Sequence, residues 1–278
     1  MPLQHLLPAH ADARHPLTID PQTLLDAATE WAYEAGRVLR EAYGGAHALE
    51  RKGVIDLVTE TDRRAEALIL SRLRQRFPDH AVLAEESGAH EAAHAPVRWL
   101  IDPLDGTTNF AHNYPFFCVS IAAELEGDLA AGAVYDPVRE ELFAAAAGAG
   151  ATLNGAPIRV SGVERLEDSL LVTGFPYDVR ESPERHIKLF QAFLTRAQGV
   201  RRDGSAALNL CYLAMGRFDG FWESKLSPWD MAAGVLITRE AGGTVTRYGG
   251  EAFALDGQQI LASNGRIHPA MMDVVPSA

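Results

Sequence analysis

With 278 residues, 47% of them hydrophobic, the chain can bury one large core or two closely packed halves, and its composition is that of an ordinary globular protein. A formal charge of −12 without any basic run argues against general nucleic-acid binding, whereas acids that hold divalent cations reverse the local field and leave phosphate binding open. No segment approaches the roughly 18 consecutive apolar residues that cross a bilayer, and the start of the chain lacks the pattern of a secretory leader, so no membrane association and a cytoplasmic location are expected.

Residues 1–17 read as a loose N-terminal extension, and residues 18–278 as a single unit. The first strong element opens at Asp20-Pro21, a capping residue followed by proline at the first helical position. Leu24, Leu25, Ala28, Trp31, Ala35, Val38 and Leu39 repeat on one face until Gly44 and Gly45 stop it. A second helix is signalled by Thr59 and Asp62 in capping-box spacing, followed by Ala65, Leu68, Ile69, Leu73 and Phe77, and is stopped by Pro78. From residue 81 the pattern changes to short apolar runs over 81–84, 99–101, 118–125, 129–135 and 141–147, which predict strands. Helical periodicity returns over 184–197, 206–215 and 231–241, with strands expected at 169–173, 220–223 and 260–262. There is no repeat or long linker. The turn at Gly148 to Gly155 divides the unit into intimate subdomains of roughly 18–147 and 148–278, and a layered α+β or α/β architecture follows. Cys118 and Cys211 sit among apolar neighbours without metal-site spacing and read as buried, reduced thiols.

The most informative segment is Trp99-Leu-Ile-Asp102-Pro-Leu-Asp105-Gly106-Thr107-Thr108, an apolar strand that runs into two aspartates, a glycine and two threonines. Asp102 and Asp105 emerge where strand becomes turn, so their carboxylates could converge on one hard cation with the Leu104 carbonyl as a further oxygen. Gly106 lets the backbone approach a ligand, and the amides of Thr107 and Thr108 could grip phosphate oxygens. Each feature also has an innocent reading, because Asp-Pro and Asp-Gly are ordinary turn dipeptides. Elsewhere, Glu85 and Glu86 end a buried strand, and Asp230 in Ser227-Pro-Trp-Asp230 precedes an apolar helix that it could simply cap. In Asp56-Leu-Val-Thr-Glu-Thr-Asp62, Asp56 is left free upstream of the capping pair.

Together these segments resemble the inositol monophosphatase family of Mg²⁺-dependent, Li⁺-sensitive phosphatases. The resemblance rests on Asp102-Pro-Leu-Asp-Gly-Thr107 and Trp229-Asp230, and extends through Asn154-Gly155, Gly204-Ser-Ala-Ala207 and Glu240-Ala-Gly-Gly243. It implies alternating α-β-α-β-α layers of helices and mixed sheets, two to three Mg²⁺ ions per site, and a homodimer. By resemblance, Glu85, Asp102 and the Leu104 carbonyl hold one ion, while Asp102, Asp105 and Asp230 hold a second, and Glu85 orients waters on a weaker third. Thr107 paired with Asp56 prepares the attacking water, with no covalent enzyme intermediate. Gly106, Thr107 and Thr108 hold the phosphate, and Asp105, Ala206 through its backbone and Glu223 meet the alcohol. Lys225, where the family varies, could favour a second anion on the substrate.

The expected reaction is hydrolysis of a small phosphorylated polyol or sugar, inositol-1-phosphate first. Fructose-1,6-bisphosphate and histidinol phosphate are the alternative substrates, and a regulatory protein that has lost the chemistry is the alternative class. Ala84 and Asn113 stand where many members carry glycine, and His112 reads as loop-ordering rather than as a base.

Overall fold

The computed structural model describes residues 19–45, 49–51, 57–90, 92, 95–176, 178–257 and 259–275. Helix α1 (Pro21–Ala42) starts as its sequence predicts: Asp20 accepts a hydrogen bond from the Gln22 amide, and Pro21 needs no donor at the first helical position. A short hairpin, β1 (Leu49–Arg51) and β2 (Leu57–Thr59), leads into α2 (Glu60–Arg76). Then come β3 (Ala81–Ala84), β4 (Gly88–His90), β5 (Val97–Asp105), the five-residue α3 (Thr107–Ala111), β6 (Cys118–Leu125), β7 (Asp128–Asp136), β8 (Glu141–Ala146), β9 (Ala151–Leu153) and β10 (Ala156–Pro157). The remainder runs β11 (Leu170–Thr173), α4 (Pro183–Leu194), β12 (Gly199–Arg201), α5 (Ala206–Ala214), β13 (Gly220–Ser224), α6 (Pro228–Glu240), β14 (Thr244–Thr246), β15 (Gln259–Ser263) and α7 (His268–Val274).

Two mixed sheets result. The first has eight strands in the order β10-β9-β8-β7-β6-β5-β3-β4, antiparallel except for the parallel pair β3–β5. It runs through the turn at 148–155, since β9 pairs with β8. The second has five strands in the order β12-β11-β13-β15-β14, with β11 parallel to both of its neighbours. Helices α1 and α2 cover one face of the large sheet, α5 and α6 lie between the sheets, and α4 and α7 cover the far face of the small one. The layers are therefore α-β-α-β-α, and each interface has its own apolar cluster. Leu24, Trp31 and Leu39 of α1 pack on the outer side with Trp99 and Ile101, whereas Leu100 and Cys118 face the central helices. This alternation along β5 is the period-two pattern of a strand buried on both faces.

The central strands are rich in small residues, with Ala122, Ala123, Ala130, Ala131, Gly132, Ala133 and Ala144 to Ala146 all buried. Small side chains let helices lie close to the sheet. A Cβ on Gly132 would stand 3.0 Å from the Ala233 Cα and 3.1 Å from its carbonyl oxygen, and one on Gly234 would meet Leu210 Cβ at 2.7 Å. Helix α6 is thus pressed against both β7 and α5 with no room for a methyl group. Cys118 and Cys211 are buried free thiols. Among the described residues no helix is long and apolar enough to cross a membrane.

Because backbone rather than a flexible side-chain end blocks Gly132, Gly132→Ala is expected to cost about 1–3 kcal/mol by overpacking. Gly162→Ala, where a Cβ meets nothing within 4 Å, should stay within about 0.5 kcal/mol of the parent. Urea unfolding of the two variants checks the contrast.

Candidate metal and phosphate site

The site forms where β5 leaves the large sheet. Asp102 pairs with Ser120 on β6, and the next pair is Asp105 with Cys118, so three steps on β5 are matched by two on β6. That extra residue is a β-bulge, and Pro103 within it needs no ladder donor. On a regular strand Asp102 and Asp105 would point to opposite faces; the bulge turns Leu104 to the outer core and leaves Asp105 on the same inner side as Asp102. Asp102 Oδ1 accepts the Leu104 amide at 2.9 Å within this turn. Gly106 follows at φ +98°, and a Cβ there would meet the Phe116 carbonyl oxygen at 2.9 Å. Only glycine fits both the angle and the space. Its left-handed turn starts α3 at Thr107, whose first amides have no partner within the helix.

The other acids arrive on separate elements. Glu85 stands just beyond β3, its amide donating to the Ile101 carbonyl at 3.1 Å, which extends the parallel β3–β5 ladder to the edge of the site. Asp230 lies in the first turn of α6 and accepts the Ser227 amide at 2.7 Å, while the Trp229 carbonyl accepts the Ser120 hydroxyl at 3.3 Å. Asp105 is gripped by the start of α5: the Ser205 hydroxyl and the Ala207 amide each donate to its Oδ2 at 2.7 Å, and the Ala206 amide adds a further bond. Ala206 thus turns its backbone to Asp105. Helix N-termini suit both carboxylates, because their free amides and the helix dipole favour negative charge.

Burial acts on all three aspartates, and neighbouring charge adds to it at Asp102 and Asp230. Burial first, then the charges of Glu85, Asp105 and Asp230, push Asp102 well above the usual carboxylate range. Burial and Asp105 do the same to Asp230, against the Ser227 amide. Asp105 rises to about 6 by burial, held down by Ser205, Ala207 and Ala206. As they stand, no three His, Cys, Asp or Glu side chains among the described residues form a ready-made cage for an ion. Asp102, Asp105 and Asp230 each rest on protein donors instead. The donor set is all oxygen and strongly negative, which suits hard divalent cations such as Mg²⁺ or Mn²⁺. The residues present fit such an ion.

Thr107 is buried beside them. Its hydroxyl lies 3.1 Å from the Leu104 carbonyl and 3.3 Å from Asp62 Oδ1. Asp56, the partner expected from the sequence, lies outside the described residues. Among the described residues, the carboxylate brought to Thr107 is Asp62, fully buried in the first turn of α2. Reading Asp62 only as a helix cap hid it, because capping and site acids share the same residue types and the 45-residue separation from Thr107 leaves no local signal.

Glu223, on β13, points into the space left by Gly174, where a Cβ would overlap its carboxyl group. Burial raises it to about 8, with Arg202 opposing and Asp105 adding to the rise. Lys225 has φ +62° and pairs with Asp178. Asn113 adopts φ +56°, a left-handed angle that asparagine tolerates, and its side chain accepts the Gly44 amide at 3.1 Å. His112 is exposed, its amide closing α3.

The model of the inositol monophosphatase family matches residues 20–277. The chain is 50% identical over 250 residues to an inositol-1-monophosphatase from Synechocystis sp., a match covering 90% of this chain and 87% of the relative. It is 43% identical over 252 residues to the Nus factor SuhB of Escherichia coli, covering 90% and 94%. Among solved structures, an inositol monophosphatase from Anabaena superposes with a TM-score of 0.85 at 46% identity, over 92% of this chain and 96% of the other. The SuhB protein from Bartonella henselae gives 0.88 at 40%, over 91% and 98%. With this match over nearly its whole length, the chain belongs to the inositol monophosphatase family of phosphomonoester hydrolases.

Proposed function

We propose that the protein hydrolyses a small phosphomonoester with the help of Mg²⁺, and that inositol-1-phosphate is its preferred substrate. The observation that carries this reading is the convergence of Glu85, Asp102, Asp105 and Asp230 beside the hydrogen-bonded pair Thr107 and Asp62. Glu85, Asp102 and the Leu104 carbonyl would hold one ion, Asp102, Asp105 and Asp230 a second, and Glu85 would help to hold a weaker third. Bound there, such ions lower the pKa of a water and offset charge on the phosphoryl oxygens. Leu104 can serve because a carbonyl oxygen has two lone pairs, and the single hydroxyl proton of Thr107 engages at most one of them and leaves both free when it turns to Asp62.

The chain's own contribution is placement. Thr107 accepts the proton of the attacking water as its own hydroxyl proton shifts toward Asp62, which makes Asp62 the base of the pair. The amides of Gly106, Thr107 and Thr108 at the start of α3 hold the phosphate oxygens. Asp105, the Ala206 backbone and Glu223 orient the alcohol, and Glu223 in its neutral form can donate a hydrogen bond as well as accept one. A sugar bisphosphate is the second reading, favoured by the Arg202 charge near Glu223. A regulatory protein without activity is disfavoured, because every carboxylate of the proposed ion set is retained.

Phosphate release across a panel of inositol-1-phosphate, fructose-1,6-bisphosphate and histidinol phosphate tests the reading, with Mg²⁺, chelator and Li⁺. Turnover should require Mg²⁺, fall with Li⁺ and be lost in Asp105→Asn; metal-independent turnover would sink the mechanism, and a preference for the bisphosphate would sink only the substrate. Thr107→Val and Asp62→Asn should each lower kcat by about 10²–10⁴-fold, with Mg²⁺ binding by calorimetry retained. Full activity in either variant removes the proposed pair.

For Glu223 the sign of the pH effect follows from a folded pKa of about 8 against an ordinary 4.5. The folded protein holds this proton more tightly than the unfolded chain, so the contribution is present below about 4.5 and is lost as pH rises toward 8. In chelator, Glu223→Gln should therefore gain melting temperature relative to the parent between pH 5 and pH 8. An unchanged difference across that window would rule out a buried, proton-holding Glu223.

A further inference from the structure

The turn that carries Glu85 is held from below by a residue outside the proposed ion set. Two successive amides anchor it. That of Glu85 donates to the Ile101 carbonyl at 3.1 Å, and that of Glu86 donates to Oε2 of Glu66 at 2.8 Å. Glu66 is only 3% exposed and sits in the second turn of α2, one helical turn beyond Asp62. Residues four apart share a helix face, so one face of α2 presents Asp62 to the Thr107 hydroxyl and Glu66 to the Glu85–Glu86 turn. A buried glutamate on a helix has lost its hydration, and its compensation here includes a backbone amide of the turn that joins β3 to β4.

We propose that Glu66 is a positioning residue for the metal site: its carboxylate fixes the turn so that the Glu85 side chain is aimed at Asp102. The inference rests on the reading that Glu85 is an ion ligand. Ligand-supporting residues of this kind set metal affinity by holding the ligand's direction rather than by touching the ion. Asp102 registers the Glu85 charge beside it, and a turn released from Glu66 would let that charge swing away while the ladder bond from the Glu85 amide remains.

Two conservative variants separate reach from charge. Glu66→Gln keeps an acceptor oxygen at the same length without the charge, whereas Glu66→Asp keeps the charge one methylene too short for the Glu86 amide. Mg²⁺ and Mn²⁺ binding by isothermal titration calorimetry, together with metal-free melting temperature, is measured on both variants and the parent. Affinity should follow reach: Glu66→Asp weakens binding about tenfold or more, Glu66→Gln stays near the parent, and the KM for substrate at saturating metal is unchanged in both. Parent-like affinity in Glu66→Asp overturns the proposal, as does a loss in Glu66→Gln equal to or larger than that in Glu66→Asp, which would assign the effect to the buried charge. If the parent binds neither ion, the metal reading itself falls and takes this inference with it, an outcome distinct from parental binding that Glu66→Asp leaves intact.

Discussion

One extra residue in β5 governs the whole site. Asp102 and Asp105 are three apart, and on an unbroken strand that spacing would send one carboxylate to the outer helices and the other to the inner layer. The bulge between them reverses the parity, so that both acids face the space between the sheets and Leu104 returns to the outer core. Gly106 completes the manoeuvre, because its left-handed angle and the nearby Phe116 carbonyl leave no room for a side chain. Without these two local features the strand would run on as ordinary core.

Bringing four acids together is electrostatically unfavourable, and the middle layer of the fold is built to offset it. The N-terminus of α5 spends its hydroxyl and amide donors on Asp105, and the first turn of α6 holds Asp230. The offset is incomplete: burial first, and then the neighbouring acids, hold Asp102 and Asp230 well above the usual carboxylate range. On the proposed reading, a divalent cation would offset both the burial and the repulsion of these carboxylates. Close packing makes the arrangement rigid, since Gly132 and Gly234 allow α6 to sit directly on β7 and α5 with Asp230 at its head.

Much of the architecture was legible beforehand. The strand over 118–125 and the helices after Asp20 and near residues 206 and 231 follow from periodicity, capping residues and prolines, all of which act within a few residues. The short pieces were not. Strands β4, β9, β10, β12 and β14 have two or three residues each, too few to display a period, and exist because a neighbouring strand offers an edge. The five-residue α3 has no apolar repeat either, and is set by the turn at Gly106.

The composition of the proposed site is read from the sequence: Glu85, Asp102, Asp105, Thr107 and Asp230 stand in motifs next to strand ends and helix starts, where a hard cation and a phosphate would call for those residue types. The contact of Asp62 with Thr107 does not belong to the sequence. Asp56 and Asp62 lie in one short run, and only the packing of α2 against the end of β5 places Asp62 within 3.3 Å of the hydroxyl. Glu66 is a stronger case, for nothing in its neighbourhood along the chain distinguishes it from a helix-surface acid until the Glu86 amide is found against it. Sequence reports chemistry that is local; contacts between α2, β3 and β5 are set by how layers stack, and that was decided only in three dimensions.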